Sequence, residues 1–194
     1  MLNTLLSRSL FVVLFLALFL GVENDVGTAQ TYTDVNYEVE KQQLVVKYTR
    51  EGNWLKEIQC LARNVHYEAR GESRRGQLAV AKVTLNRVES DIFPNSICGV
   101  VNEGKHNDRG YYVCQFSWRC EPWTNPKRTF HNEHPSYQVA LDAILGYDNL
   151  KMVTEDTYWF HTPAVKPRWR KHKQMLARVD GHIFYTNKPG QTGR

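Results

Sequence analysis

The stretch NVHYEARGESRRGQLAVAKVTLNRV, Asn64 to Val88, sets two carboxylates, Glu68 and Glu72, on either side of Gly71 within sequence that is otherwise helical in pattern. A carboxylic acid that must donate a proton near neutral pH needs a raised pKa, and burial against apolar side chains without a compensating cation supplies it. Glu68 has the right address. At about 100° per residue it projects close to Leu61, on the margin of the apolar face made by Ile58, Leu61, Ala62, Val65 and Ala69. Glu72 stands among Arg70, Arg74 and Arg75, so an ion pair or a cap on the following helix is the commoner role for it, with a second catalytic carboxylate as the alternative. For metal chemistry the spacing is wrong: there is no C-x-x-C and no H-E-x-x-H. His131 and His134 in HNEH come nearest to paired ligands but lack a third partner in view, so no metal and no cofactor is assigned.

These acids need elements to position them. From Trp54 the apolar residues recur at helical spacing until Gly71 interrupts them. LAVAKVTLNRV then reads as a second helix, apolar on so many sides that Leu78, Ala81, Leu85 and Val88 make it the central post of the domain. Asn86, polar within it, is expected to bond backbone at a neighbouring loop. FPNSICGV supplies turn residues Pro94 and Asn95, and residues 102 to 112 read as a loop. A third amphipathic stretch runs from about Ser136 to Leu145 and stops at Gly146, a C-terminal cap. TYWFH and HIFYTN are short, aromatic and alternating, which favours strands.

The N-terminus is set apart. After Arg8, LFVVLFLALFLGV is too short for a comfortable membrane span and suits a secretory h-region, and GTAQ places Gly27 and Ala29 three and one before a possible cut. Residues 1–29 therefore read as a cleaved signal peptide, with an uncleaved membrane anchor as the alternative, 30–50 as a polar tether, 51–187 as the domain proper and 188–194 as a flexible tail. The length of 194 residues with 42% hydrophobic content suits one domain with a real core. Export permits Cys60, Cys98, Cys114 and Cys120 to form two disulfides in any of three pairings, with Cys114 and Cys120 close enough to clip one loop. The formal charge of +5 draws the protein towards polyanions, among them cell-wall polymer and anionic lipid, or simply keeps it soluble.

LARNVHYEARGESRRGQLAVAKVTLNRV, then FPNSICGVV, CQFSW, YWFH, VKPRW and GHIFY occur in the order and character of one known group. From Cys60 to Tyr185 the chain resembles the SleB/CwlJ-type cell-wall hydrolases. The family usually carries Tyr-Phe-Glu where this chain has His66, Tyr67 and Glu68, a change of polarity beside the key acid. The resemblance implies an α+β, mainly α, lysozyme-like or lytic-transglycosylase-like domain with a small β element near its C-terminus. It implies cleavage of the glycan bond between N-acetylmuramic acid and N-acetylglucosamine, with Glu68 as proton donor and then base. An internal sugar hydroxyl can capture the cation-like centre, so a second carboxylate is optional. Around this centre Gln115, Phe116 and Ser117 resemble a substrate-binding loop or a structural turn. Tyr158, Trp159, Phe160 and His161, with Trp169, resemble the aromatic wall of a carbohydrate cleft, or core. His161 and His182 match family positions, as site residues or as hydrogen-bonded structural histidines. Glu72 is carried as a supporting residue.

The expected partner is peptidoglycan glycan strands, acted on by an exported monomer in the periplasm or envelope, with the membrane touched only through the signal segment. Two other readings compete. One is an N-acetylmuramoyl-L-alanine amidase, which usually wants a zinc site with an open position. The other is a non-enzymatic wall- or nucleic-acid-binding module built on KPRWRKHK, Lys166 to Lys173, where basic residues surround Trp169. The signal segment argues against nucleic acid, and a solvated basic face explains the charge run at less cost.

Overall fold

The computed structural model describes residues 53–146, 150–151 and 153–191. The expected signal peptide and tether lie outside the described residues. Helix α1 is Trp54–Ala69 and α2 is Arg74–Glu89, joined by a four-residue corner at Gly71. A short α3, Ile97–Asn102, follows the Pro94–Asn95 bend, with Ser96 as its N-cap. The hairpin β1, Gly104–His106, and β2, Tyr112–Cys114, comes next, and then a 3-10 turn over Ser117–Cys120. Helix α4 is Pro135–Ile144. The C-terminal sheet is antiparallel in the order β3-β5-β4, from Trp159–His161, His182–Asn187 and Lys173–Val179.

The first two helices form where the apolar periodicity places them. Ile58, Leu61, Ala62 and Val65 are fully buried, and α2 buries Ala79, Val80, Ala81 and Val83 completely. That all-round burial makes α2 the post against which α1, α3 and α4 pack. Pro135 opens α4 at a position where its missing N–H costs nothing, and Gly146 beyond its end takes φ +78°, the left-handed conformation that favours glycine there. Polar groups buried between helices are matched. Asn64 donates to Thr84 Oγ1 at 3.0 Å and accepts from Trp118 Nε1 at 3.0 Å, while Glu57 accepts the Cys98 N–H at 2.8 Å. Asn86 donates to the carbonyls of Thr154 and Thr157 at 2.7 and 3.0 Å, the loop contact its position called for. Disulfides join Cys60 to Cys98 and Cys114 to Cys120.

Three elements depart from the sequence reading. Residues 102 to 112 are not simply a loop, since 104–106 pair with 112–114; three-residue strands with two exposed positions each carry no alternation to detect. Strand β4 was hidden inside the basic run and its continuation, because it lies at a sheet edge with much of it exposed and an irregularity between Met175 and Ala177. Within that run Arg168–His172 forms a 3-10 turn. The third departure is α3, six residues where only a turn was expected.

The sheet is fastened to the helices by one reciprocal contact. Glu72 Oε2 accepts the backbone N–H of Gly181 at 2.8 Å, and Asp180 Oδ2 accepts from both the backbone N–H and the hydroxyl of Ser73. Asp180 and Gly181 are the two-residue turn between β4 and β5, with Asp180 at φ +46°. A Cβ on Gly181 would stand 2.5 Å from Glu72 Oε1, and one on Gly76 would stand 2.5 Å from Asp180 Oδ2 and 2.9 Å from Glu72 Cβ, so a side chain at either glycine would push aside the carboxylates that make the contact. Ser73 also caps α2 through its side chain. Around this corner Ser73 supplies the cap of α2, Arg74 pairs with Asp142, and the Glu72 carboxylate holds the β4–β5 turn. Glu72→Ala is expected to lower the unfolding free energy by about 1–3 kcal/mol in urea titration, the cost of leaving a partly buried donor unmatched. Gly181→Ala should cost at least as much, and a Glu72→Ala protein of parental stability would show that the contact contributes nothing.

Candidate active site

A cavity of about 400 Å³ opens between the helices and the C-terminal sheet. Glu68, in the last turn of α1, and Arg87, in the last turn of α2, line its helical side. Gln115, Phe116 and Ser117 line it from the segment after β2. Trp159, Phe160 and His161 of β3, Trp169 of the 3-10 turn and His182 of β5 close the rest, with Thr162 and Val165. Of the residues singled out in the sequence, Glu68, Gln115, Phe116, Ser117, His161, Trp169 and His182 meet here; Glu72 and Tyr158 do not line the cavity. Tyr158 packs on Phe93 and Trp159 and offers its carbonyl to Arg87.

Glu68 is the only carboxylate lining the cavity among the described residues. Part of its surface reaches the cavity, yet protein surrounds the carboxyl closely enough that burial raises its pKa from 4.5 to about 7; Arg87 pulls the other way and Glu121 adds to the rise. Its place in the last turn of α1 puts it near the negative end of the helix dipole, which also disfavours the charged form. Arg87 is buried, donates from Nε and Nη2 to the Tyr158 carbonyl at 2.9 and 2.7 Å, and lies over the rings of Phe93 and Phe116. Its pull on Glu68 is outweighed by burial.

The loop carrying Gln115 to Ser117 is held at several points. The Cys114–Cys120 disulfide brackets it, the Gln115 N–H donates to the Glu103 carbonyl at 2.8 Å, and Phe116 and Trp118 are buried. His161 is fixed in one tautomer: Nδ1 lies 2.8 Å from the Thr162 carbonyl, which can only accept, so Nε2 accepts from the Tyr185 hydroxyl at 3.0 Å. Its ring stacks on Tyr185 and meets Trp169 edge-on. His182 packs edge-on against Phe160, and burial lowers its pKa; its Nδ1 is buried without a protein partner. The unusual His66 and Tyr67 stand away from the cavity. His66 packs on Phe130 and His134, its pKa lowered to about 4 chiefly by burial and then by Arg128, while Tyr67 stacks on Trp118 at 4.7 Å. His134 of HNEH caps α4, and among the described residues no group of three His, Cys, Asp or Glu is placed to hold a metal.

Arg87 and Glu121 escaped the sequence reading. Arg87 sits one position after the noted Asn86 in the same helix, and a charge in a helix that is apolar on nearly every side was the signal available. Glu121 acts on Glu68 across the fold, and nothing local marked it.

The stability of the fold carries a signature of this site. Below pH 4.5 Glu68 is neutral whether the chain is folded or not, but between 4.5 and about 7 the unfolded chain loses a proton that the folded chain keeps. Stability therefore falls as pH rises through that window and levels off above it. Glu68→Gln is expected to match the parent at pH 4 and to exceed it at pH 8 by about 1–3 kcal/mol in denaturant titration. Equal stability at both pH values would place the carboxyl in an ordinary aqueous environment.

Residues 71–185 match the family described as Cell Wall Hydrolase, a match that begins just after Glu68. The spore cortex-lytic enzyme of Bacillus subtilis is 32% identical over 130 residues, 66% of this chain and 37% of that protein. That of Bacillus cereus is 31% identical over 128 residues, 66% of this chain and 43% of that protein. The chain thus spans less than half the length of these curated relatives. Among solved structures, the catalytic domain of the germination-specific lytic transglycosylase SleB from Bacillus anthracis superposes with a TM-score of 0.54 at 29% identity, covering 67% of this chain and 93% of that one.

Proposed function

This chain belongs to the Cell Wall Hydrolase family, and from that premise we propose that it cleaves the peptidoglycan bond between N-acetylmuramic acid and N-acetylglucosamine as a lytic transglycosylase, with Glu68 as its acid and base. One observation carries the reading: a single carboxyl, with a pKa of about 7, lines a cavity whose other walls carry aromatic rings, polar side chains and the buried Arg87. Glycosidases that use water ordinarily need two carboxyls flanking the bond, and the described cavity lining offers one.

The reaction needs only that one. Neutral Glu68 gives its proton to the glycosidic oxygen as the bond to C1 of the muramoyl sugar breaks, releasing the glucosaminyl hydroxyl. The carboxylate so formed takes the proton from the muramoyl C6 hydroxyl as that oxygen bonds to C1. An anhydro ring closes, and the acid returns to its neutral form without consuming water. Arg87 steadies the carboxylate in its brief charged state. Gln115 and Ser117 offer an amide and a hydroxyl to sugar N-acetyl and hydroxyl groups, while Phe160, Trp169 and His161 present faces and edges to the ring. Two disulfides support an oxidising site of action, the exported envelope.

Digestion of purified sacculi with products resolved by mass spectrometry tests the reading. Anhydro-muramyl ends are expected, and Glu68→Gln should lower their rate by about 10²-fold or more. Reducing muramyl ends would make the enzyme a hydrolase, and freed stem peptides an amidase. The acid must be protonated to start, so kcat/KM should fall about tenfold per pH unit above 7, and a flat profile to pH 9 would remove Glu68 from the proton-donating role.

A further inference from the structure

A second cavity, of about 440 Å³, lies against the first. The two share Gln115, Trp159 and Trp169, so these side chains are a partition with a face in each. The chemistry of the second differs. Two amines line it, Lys105 from β1 and Lys173 from the start of β4, together with Glu103 and the apolar faces of Phe93 and Val113. Lys173 Nζ stands 3.5 Å over the Trp159 ring and donates to Asn187 Oδ1 at 2.7 Å. Lys105 is exposed, and its backbone is held opposite Val113 by the hairpin that also carries Gln115. Lys105 thus lies on the strand paired with the one that leads into Gln115, and Lys173 directly follows the 3-10 turn that carries Trp169, so each amine neighbours a residue shared by the two cavities.

A sugar ring asks for a stacking face and neutral donors and acceptors, and the first cavity has these. A partly buried ammonium is costly to desolvate, and a bound carboxylate offsets that cost with a charge-assisted hydrogen bond. In a peptidoglycan strand the ring atoms are neutral and the lactyl group is taken up in an amide bond, so the carboxylates lie on the peptide branch of the muramoyl residue. Glu103 on the same rim leaves one positive charge in excess, and the apolar faces suit aliphatic side chains of a peptide. We propose that this second cavity is a subsite for the carboxylate-bearing peptide branch of the substrate, with Lys173 and Lys105 receiving the carboxylate. The proposal rests on the reading of the first cavity as a glycan-cleaving site.

The test uses glycan strands with intact stem peptides and the same strands after conversion of their peptide carboxylates to methylamides. The native enzyme is expected to favour the acid form about tenfold in kcat/KM, mainly through KM, which corresponds to about 1.4 kcal/mol. Lys173→Gln and Lys105→Gln together should bring that ratio to within about twofold of one, as expected when a charge-assisted contact is lost. Lys105→Gln alone alters an exposed side chain and should reduce the ratio in a protein of parental stability, while Lys105→Arg should restore it. Equal cleavage of both strand types by the native enzyme, or a preference that survives in the double variant, overturns the subsite while leaving the first cavity's role intact. Cleavage of neither strand type overturns both.

Discussion

Three hydrogen bonds between Glu72–Ser73 and Asp180–Gly181 decide how the two halves of this fold meet. The helices pack on one another, α2 against α1, α3 and α4, and share one core with Trp159, Val179 and Phe184 of the sheet. The sheet has no independence: it is three short strands, and strands this few need a partner face. The partner is fixed at the corner where α1 passes into α2. Each side contributes one carboxylate and backbone donors, and each side keeps a glycine where a methyl group would intrude. Since His182 follows Gly181 directly and Glu68 precedes Glu72 by four residues, across the end of α1 and into the corner, the same contact sets the distance across which the cavity is built.

What the cavity does to Glu68 follows from that placement. Neither a like charge nor a special hydrogen bond dominates; removal of water does, with Glu121 assisting and Arg87 resisting. The resisting charge is itself absorbed by a carbonyl and two aromatic faces. An acid held neutral next to a spoken-for cation can both release a proton and tolerate having done so, which is the requirement on a group that serves twice in one turnover.

The helical scaffold was legible because its signals are local. Apolar periodicity from Ile58 to Ala69, the apolar run after Gly76 and Gly146 at the end of α4 each declare an element within one or two turns. The aromatic strands were legible for the same reason. The hairpin at 104–114 and the edge strand β4 were not, since strands that are short or solvent-facing owe their existence to partners distant in sequence. The site divides along the same line. Glu68 could be found from its helical margin, but the task of Glu72 depends on Gly181, and the influence of Glu121 depends on the folded path of a loop; neither relation leaves a periodic trace.

The order in which the cavity's walls occur along the chain has a temporal meaning. Synthesis begins at the N-terminus, so α1 and its acid emerge early, whereas β3, Trp169 and His182 arrive near the end. Until they do, Glu68 faces bulk solvent on a nascent helix and behaves as an ordinary carboxylate, ionised at neutral pH. A partly made chain therefore carries the Glu68 carboxyl but none of its altered proton affinity, which arises only once the last strand is in place.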